Sequence, residues 1–281
     1  MAYAYIRHIP SPPLNAYVDF LYYQESRLYP REKKYPMPNV HMLINFGGTI
    51  QVHDAYRAEP FATIDECSVI GTWNKCHVIT WPLNIQIFGV CFKPGAAYSF
   101  MKFPLSEVRN QFVSLDAIWG DFASEMRERL DAPPTIQARF ALLEQLLLAR
   151  LGEAPHGLDI VRYSVAEIAL QHGVLSIRAL SDAIGISQKH LITQFKRMVG
   201  VSPKELAGLL RLKHVFSMIN PAQPVDWGLL AQQAGYYDQA HFNKDFKAFL
   251  GHSPTDYLRL RRQLYAKFPE QDLYLRTLPI G

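Results

Sequence analysis

Gln239, Asn243 and Lys244 stand at i, i+4 and i+5, a spacing that puts three hydrogen-bonding side chains on one face of a helix. A Gln or Asn carboxamide can bond an adenine edge through two hydrogen bonds, and a Lys ammonium can reach a guanine acceptor or a phosphate. His241 and Lys247 flank them. A second polar set lies about fifty residues earlier: Gln188, Lys189, His190 and Thr193, with Lys196 and Arg197 behind. Within it Lys189 and Thr193 are the base-edge candidates. These side chains suit reading a surface rather than breaking a bond. The chain has no nucleophile elbow, phosphate-binding glycine loop or His-Glu-x-x-His, so nothing marks it as an enzyme.

Helices of defined phase must hold such faces, and the sequence writes them twice. Phe195-Lys196, Gly200 and Ser202-Pro203 recur 51 residues later as Phe246-Lys247, Gly251 and Ser253-Pro254. The turn glycines, Gly185 and Gly235, are only 50 apart, so the second copy holds one extra residue. A repeat of this kind is one supersecondary unit used twice. Asp159 is placed to cap a helix through Ala169. Ser176 caps the next, with Leu180, Ala183 and Ile184 facing inward and Gly185 ending it. Ser187 caps a helix burying Leu191, Phe195 and Met198 or Val199. Ser202-Pro203-Lys204-Glu205 is a capping box that opens a long helix to about Ile219, stopped at Asn220-Pro221. Asp226 and Asp238 cap the helices of the second unit, whose recognition helix turns Phe242, Phe246 and Phe249 inward, and Ser253-Pro254 opens the last. The layout is two helix-turn-helix units, about 176–200 and 226–251, joined by one helix. That connector spans about 25 Å at 1.5 Å per residue, the scale needed to address major grooves ~34 Å apart.

Charge agrees with a polyanionic partner. The chain carries +4 overall, but residues 156–262 hold thirteen Lys/Arg against eight Asp/Glu. Arg211, Lys213, Arg259, Arg261 and Arg262 join the helix starts as phosphate-contact candidates. Three cysteines suit a reducing interior better than a disulfide scaffold. Prolines at 10, 12 and 13 interrupt the start of the chain, and no stretch reaches the ~20 apolar residues of a membrane span. A cytoplasmic location is expected.

The front half has another grain. Runs at 41–46, 49–52, 77–81 and 85–90 are β-branched or aromatic and broken by Gly47-Gly48, Trp81-Pro82 and Lys93-Pro94-Gly95, as in a small barrel or sandwich. After Pro104 the periodicity turns helical over 115–130 and 135–151, separated by Pro133-Pro134. Gly152 to Gly157 is the best linker. The fold expected is α+β: residues 1–155 a β-rich barrel or sandwich with trailing helices, for effector binding or dimerisation, and 156–281 an all-α DNA-binding domain. His41, Trp73, Trp81 and Phe88 are the ligand candidates in the front half. Cys67, Cys76 and Cys91, with His41, His53 and His77, match no zinc spacing, so no metal or cofactor is assigned. Ile136, Phe140, Leu143 and Leu147 form either the internal core or a dimer seam.

Residues 236–254 resemble the second helix-turn-helix signature of the AraC/XylS transcription regulators: an aromatic after the turn glycine, a polar cap, His241-Phe242, Phe246-Lys247, Gly251, Ser253-Pro254. Residues 180–206 resemble the first copy, with Ile192-Thr193 where the family commonly carries a Ser-Arg pair. Phe88 to Ala96 and Leu115 to Gly120 resemble the strand-rich sensor-type domain that precedes the reader in one branch. The resemblance implies two recognition helices set into successive major grooves on one DNA face, activating or repressing a promoter. Candidate partners are double-stranded DNA, a small-molecule effector, a second copy of the chain and RNA polymerase, with no membrane. Alternatives are a constitutive reader with a structural front domain, or a cupin-like enzyme fused to a reader.

Overall fold

The computed structural model describes residues 4–25, 30–55, 57, 59–267 and 277–279; the stretch 268–276 of the expected C-terminal domain lies outside them. The front half consists of strands β1 (Ala4–His8), β2 (Val18–Glu25), β3 (Arg31–Lys34), β4 (His41–Asn45), β5 (Ile50–Asp54), β6 (Pro60–Ile64), β7 (Cys67–Ile70), β8 (His77–Thr80), β9 (Gln86–Phe92) and β10 (Phe112–Ser114). They pair antiparallel into two sheets. The larger has the order β1-β2-β9-β4-β7-β10, and the smaller runs β3-β8-β5-β6. A last strand, β11 (Thr277–Pro279), adds to the free edge of β3, so the C-terminal end of the chain closes back on the front half.

Alternation along the strands assigns each face of the larger sheet a neighbour. Leu43, Ile70 and Ile87 meet Ile50, Val52 and Ile79 of the smaller sheet. Met42, Ile44, Phe88 and Val90 point the other way, against Phe140, Leu143 and Leu147. At the centre of β9, Gly89 lets the Tyr22 ring cross the sheet, since a Cβ there would lie 1.9 Å from the ring.

The covering helices are α1 (Tyr98–Met101), α2 (Asp116–Trp119), α3 (Asp121–Asp131) and α4 (Ile136–Arg150). The helix expected over 115–130 is broken between α2 and α3 because Gly120 takes φ 59°. Strand structure also persists past Pro104: β10 pairs with β7. Phe140, Leu143 and Leu147 are fully used in the chain's own core, which removes them from a dimer seam.

The remaining helices are α5 (Leu158–Leu170), α6 (Ile177–Ile184), α7 (Gln188–Met198), α8 (Pro203–Met218), α9 (Trp227–Gln233), α10 (Gln239–Leu250) and α11 (Pro254–Lys267). Helix α5 starts from Gly157 at φ 84°, and Asp159 sits inside its first turn beside the helix dipole rather than at the cap. Ala183 is exposed, because α6 is only eight residues long and Leu180 carries its buried contact. The front core continues without a break through Val161 and Ile168 to Leu191, Phe195, Met198 and Leu206. The second unit has its own core of Leu212, Phe216, Phe242, Phe246, Leu250 and Tyr257.

Candidate nucleic-acid interface

Each recognition helix is fixed at its start by a side-chain cap. Ser187 Oγ accepts from His190 N (3.2 Å), and Asp238 Oδ1 accepts from His241 N (2.7 Å). Each is fixed along its length by aromatic and aliphatic anchors: Leu191, Phe195 and Met198 in α7, Phe242, Phe246 and Leu250 in α10. With that face buried, the phase of the helix dictates what points outward.

In α10 the exposed residues are Gln239, Ala240, His241, Asn243, Lys244, Lys247 and Ala248. His241 Nε2 lies 3.6 Å from Asp245 Oδ2, one turn on. Phe249 is half-buried and packs towards Gly208 of α8, where a Cβ would meet its ring at 3.4 Å.

In α7, Gln188, Lys189, His190, Thr193 and Lys196 are exposed. Thr193 Oγ1 donates to Lys189 O (2.9 Å), which turns its hydroxyl to the backbone and its methyl outward. Arg197 is engaged differently. Its Nε donates to the Tyr98 hydroxyl (2.7 Å), and its guanidinium lies 5.0 Å from the centre of the same ring. Gln194 is buried, with its carboxamide against Gly157.

Most cations of the supporting helices are also bound internally. Arg211 Nη2 donates to Gly173 O (2.8 Å) and the guanidinium covers the Tyr236 ring. Arg262 donates to Pro221 O and Gln223 O, Arg259 pairs with Asp256, and Arg261 is buried. These contacts hold α8 and α11 in place around the second unit. Burial pushes the Tyr236 hydroxyl up to about 12, with Asp245 adding to the rise, so it stays a neutral phenol.

The front domain touches both units. Thr72 Oγ1 donates to Val199 O (2.8 Å) at the end of α7, where Gly200, at φ 89°, keeps clear of Leu105 O. Arg109 Nη2 reaches Glu205 Oε1 (2.6 Å), the carboxylate that also closes the Ser202 capping box. Burial tends to raise that carboxyl, but hydrogen bonds from Ser202 and the Arg109 charge outweigh it and hold it below its ordinary range. On the second unit, Lys33 Nζ meets His252 Nε2 (3.2 Å) and Cys76 Sγ donates to Phe249 O (3.1 Å). Tyr35, fully buried, packs between Phe216 and Tyr257. These interdomain residues carry no periodic or motif signal.

The four ligand candidates are not brought together. Phe88 faces the helices, 5.3 Å from Phe140. Trp81 belongs to the apolar cluster between the sheets, and His41 meets Tyr22 edge-on at 6.3 Å. The Trp73 ring lies tilted, centroids 4.1 Å apart, against His77, a residue the sequence offered only as a metal candidate, with Phe112 beside both. Burial, aided by Lys34 and Lys75, pulls the His77 imidazole down to about 3, so it is neutral. Cys67 and Cys76 are thiols, raised by burial to about 12 and about 11. Among the described residues no three His, Cys, Asp or Glu side chains gather as a metal site, and no helix is long and apolar enough to cross a membrane.

Two family profiles match the chain: a helix-turn-helix domain over residues 180–260 and a domain of unknown function, DUF6597, over residues 6–114. No curated protein matches it in sequence. Among solved structures, ToxT from Vibrio cholerae is similar at 11% identity and TM-score 0.46, covering 85% of this chain and 97% of that one. The C-terminal domain of AraT, a response regulator from Geobacillus stearothermophilus, is 24% identical with TM-score 0.33, covering 36% and 84%. The AraC-like transcriptional activator CuxR is 12% identical with TM-score 0.26, covering 76% and 86%. The matched helix-turn-helix segment holds the caps, turns and anchors described above. With two side-chain-capped helices, α7 and α10, and a strand-rich domain in front, this chain carries a helix-turn-helix domain over residues 180–260.

Proposed function

We propose that this chain is a sequence-specific transcription regulator of the AraC type, that residues 156–281 read DNA, and that residues 1–155 place the reader under the control of a small molecule in the cytoplasm. The observation that carries the reading is the pair of exposed polar faces on α7 and α10, each backed by a fully buried aromatic anchor. Gln239, Asn243 and Lys244 supply most base contacts. On α7, Gln188, Lys189 and the Thr193 methyl add weaker ones, and His190, His241, Lys196 and Lys247 face phosphates at the groove rims. Arg197 reaches DNA only if it leaves Tyr98.

Two observations support control by an effector. The front domain is fastened to both units rather than tethered by a linker. Close to the space between the sheets, Trp73 Nε1 and His77 Nδ1 are buried polar atoms without a hydrogen-bond partner, an arrangement that costs free energy unless something fills it. His77 therefore replaces Phe88 in the proposed ligand set, beside Trp73, His41 and Trp81. A second copy of the chain and RNA polymerase are the proposed protein partners.

The test uses the full chain in selection of bound fragments from a random DNA pool. Enrichment of one motif is expected, with binding that weakens steeply as salt rises. No preference over random DNA at physiological salt sinks the reading. Lys244→Ala or Asn243→Ala should each cost about 1–3 kcal/mol at one base pair and relax preference there. A metabolite screen by thermal shift tests the effector half, since a ligand at 100 times its Kd stabilises by about 2.7 kcal/mol. A flat screen favours a constitutive reader.

A further inference from the structure

The two units differ by one inserted residue, and the turn hydrogen bonds identify it. After Gly185, Ile186 N donates to Ser181 O (3.1 Å); after Gly235, Tyr236 N donates to Ala231 O (3.0 Å). Both pairs are separated by 50 residues, so Ile186 and Tyr236 are equivalent. The caps Ser187 and Asp238 are separated by 51. The residue without a counterpart is therefore Tyr237, inserted between the closing turn of α9 and the cap of α10.

Its surroundings are unlike those of the other aromatics in this unit. Tyr236 is 6% exposed and packs on Phe242, whereas Tyr237 is 94% exposed. Among the described residues no hydrogen bond or ring contact holds it. Nothing in the fold uses the side chain, and the first unit forms its turn without it.

From this placement we propose that Tyr237 is a positioning residue for DNA, its hydroxyl donating to a backbone phosphate at the rim of the groove that α10 enters. The inference rests on the DNA-reading function above. The N-terminal residues of a recognition helix face base edges, so the residue just before the cap lies where the groove meets the sugar–phosphate chain. Tyrosine hydroxyls are ordinary donors to phosphate oxygens, and such contacts set register and orientation without reading sequence. The insertion gives the second unit a fixing point that the first lacks, which suits its richer base-reading face.

A neutral phenol releases no bound counterion, so its loss leaves the salt dependence unchanged, unlike loss of a Lys or Arg phosphate contact. The experiment compares the full-length wild type, Tyr237→Phe and Lys247→Ala on the selected motif and on single-base variants of it, over a range of salt. Tyr237→Phe is expected to weaken binding about tenfold, the scale of one hydrogen bond to a charged group. The loss should be equal on every sequence and at every salt concentration. Lys247→Ala should instead lower the salt slope by about one phosphate contact. Wild-type affinity in Tyr237→Phe overturns the proposal, as does a loss confined to one base pair or abolished by replacing a thymine with uracil. If the wild type selects no motif, it is the DNA-reading function that fails, which the wild-type arm reports separately. The side chain is solvent-exposed, so the variants keep the native fold.

Discussion

His77 shows how one buried side chain sets a pH dependence. Its imidazole sits in a ring cluster with Trp73 and Phe112, facing the charges of Lys34 and Lys75, and its pKa falls from 6.5 to about 3 on folding. Between those values the unfolded chain binds a proton that the folded chain refuses. Its contribution is therefore complete above pH 6.5 and is lost as the pH falls towards 3. The slope is at most about 1.4 kcal/mol per pH unit. Denaturant unfolding at pH 7 and pH 5 should show a steeper loss for wild type than for His77→Gln. His214 and His252 are also lowered by burial, with His172 and Lys33 adding to it, and their smaller contribution of the same sign persists in both proteins. Equal slopes would place the His77 ring in water.

At the scale of elements, the contact between α5 and α8 depends on a residue with no Cβ. Gly173 closes α5 at φ 77°, and a Cβ there would lie 2.0 Å from Ala207 O. Its own carbonyl accepts from Arg211, which in turn covers Tyr236 of the second unit. Gly173→Ala should cost roughly 2–4 kcal/mol, combining left-handed backbone strain with overpacking. A lower denaturant midpoint at unchanged slope is the expected result, and an unchanged midpoint would show that α8 can slide away from α5. The helices themselves were legible in the sequence because their signals are local. Ser176, Ser187, Ser202, Asp226 and Asp238 cap as their types and spacings require. Strand β3, Arg-Glu-Lys-Lys, was not legible, since four charged residues carry no apolar alternation. It is a strand because β8 and β11 flank it, and Glu32 and Lys34 satisfy each other on one face.

For the whole molecule, the join between the sheets and the second unit is where sequence reasoning stopped. Reading faces follow from phase within a helix, but nothing in residues 30–35 announces that Tyr35 belongs to a core built from residues 212–258. Tyr35→Ala should cost about 3–5 kcal/mol, as for other large aromatic deletions. Hydrogen exchange should show where the loss falls: amides of α10 should exchange faster while those of β9 keep their protection. Uniform loss of protection would mean that both cores open as one unit. The same ring limits how freely this chain can be recombined. A hybrid that joined its reader to another front domain near residue 155 would lack the aromatic side chain that closes the second unit's core. The transplanted reader would carry a cavity even with every DNA-facing residue intact, so the two halves are separable in sequence but not in packing.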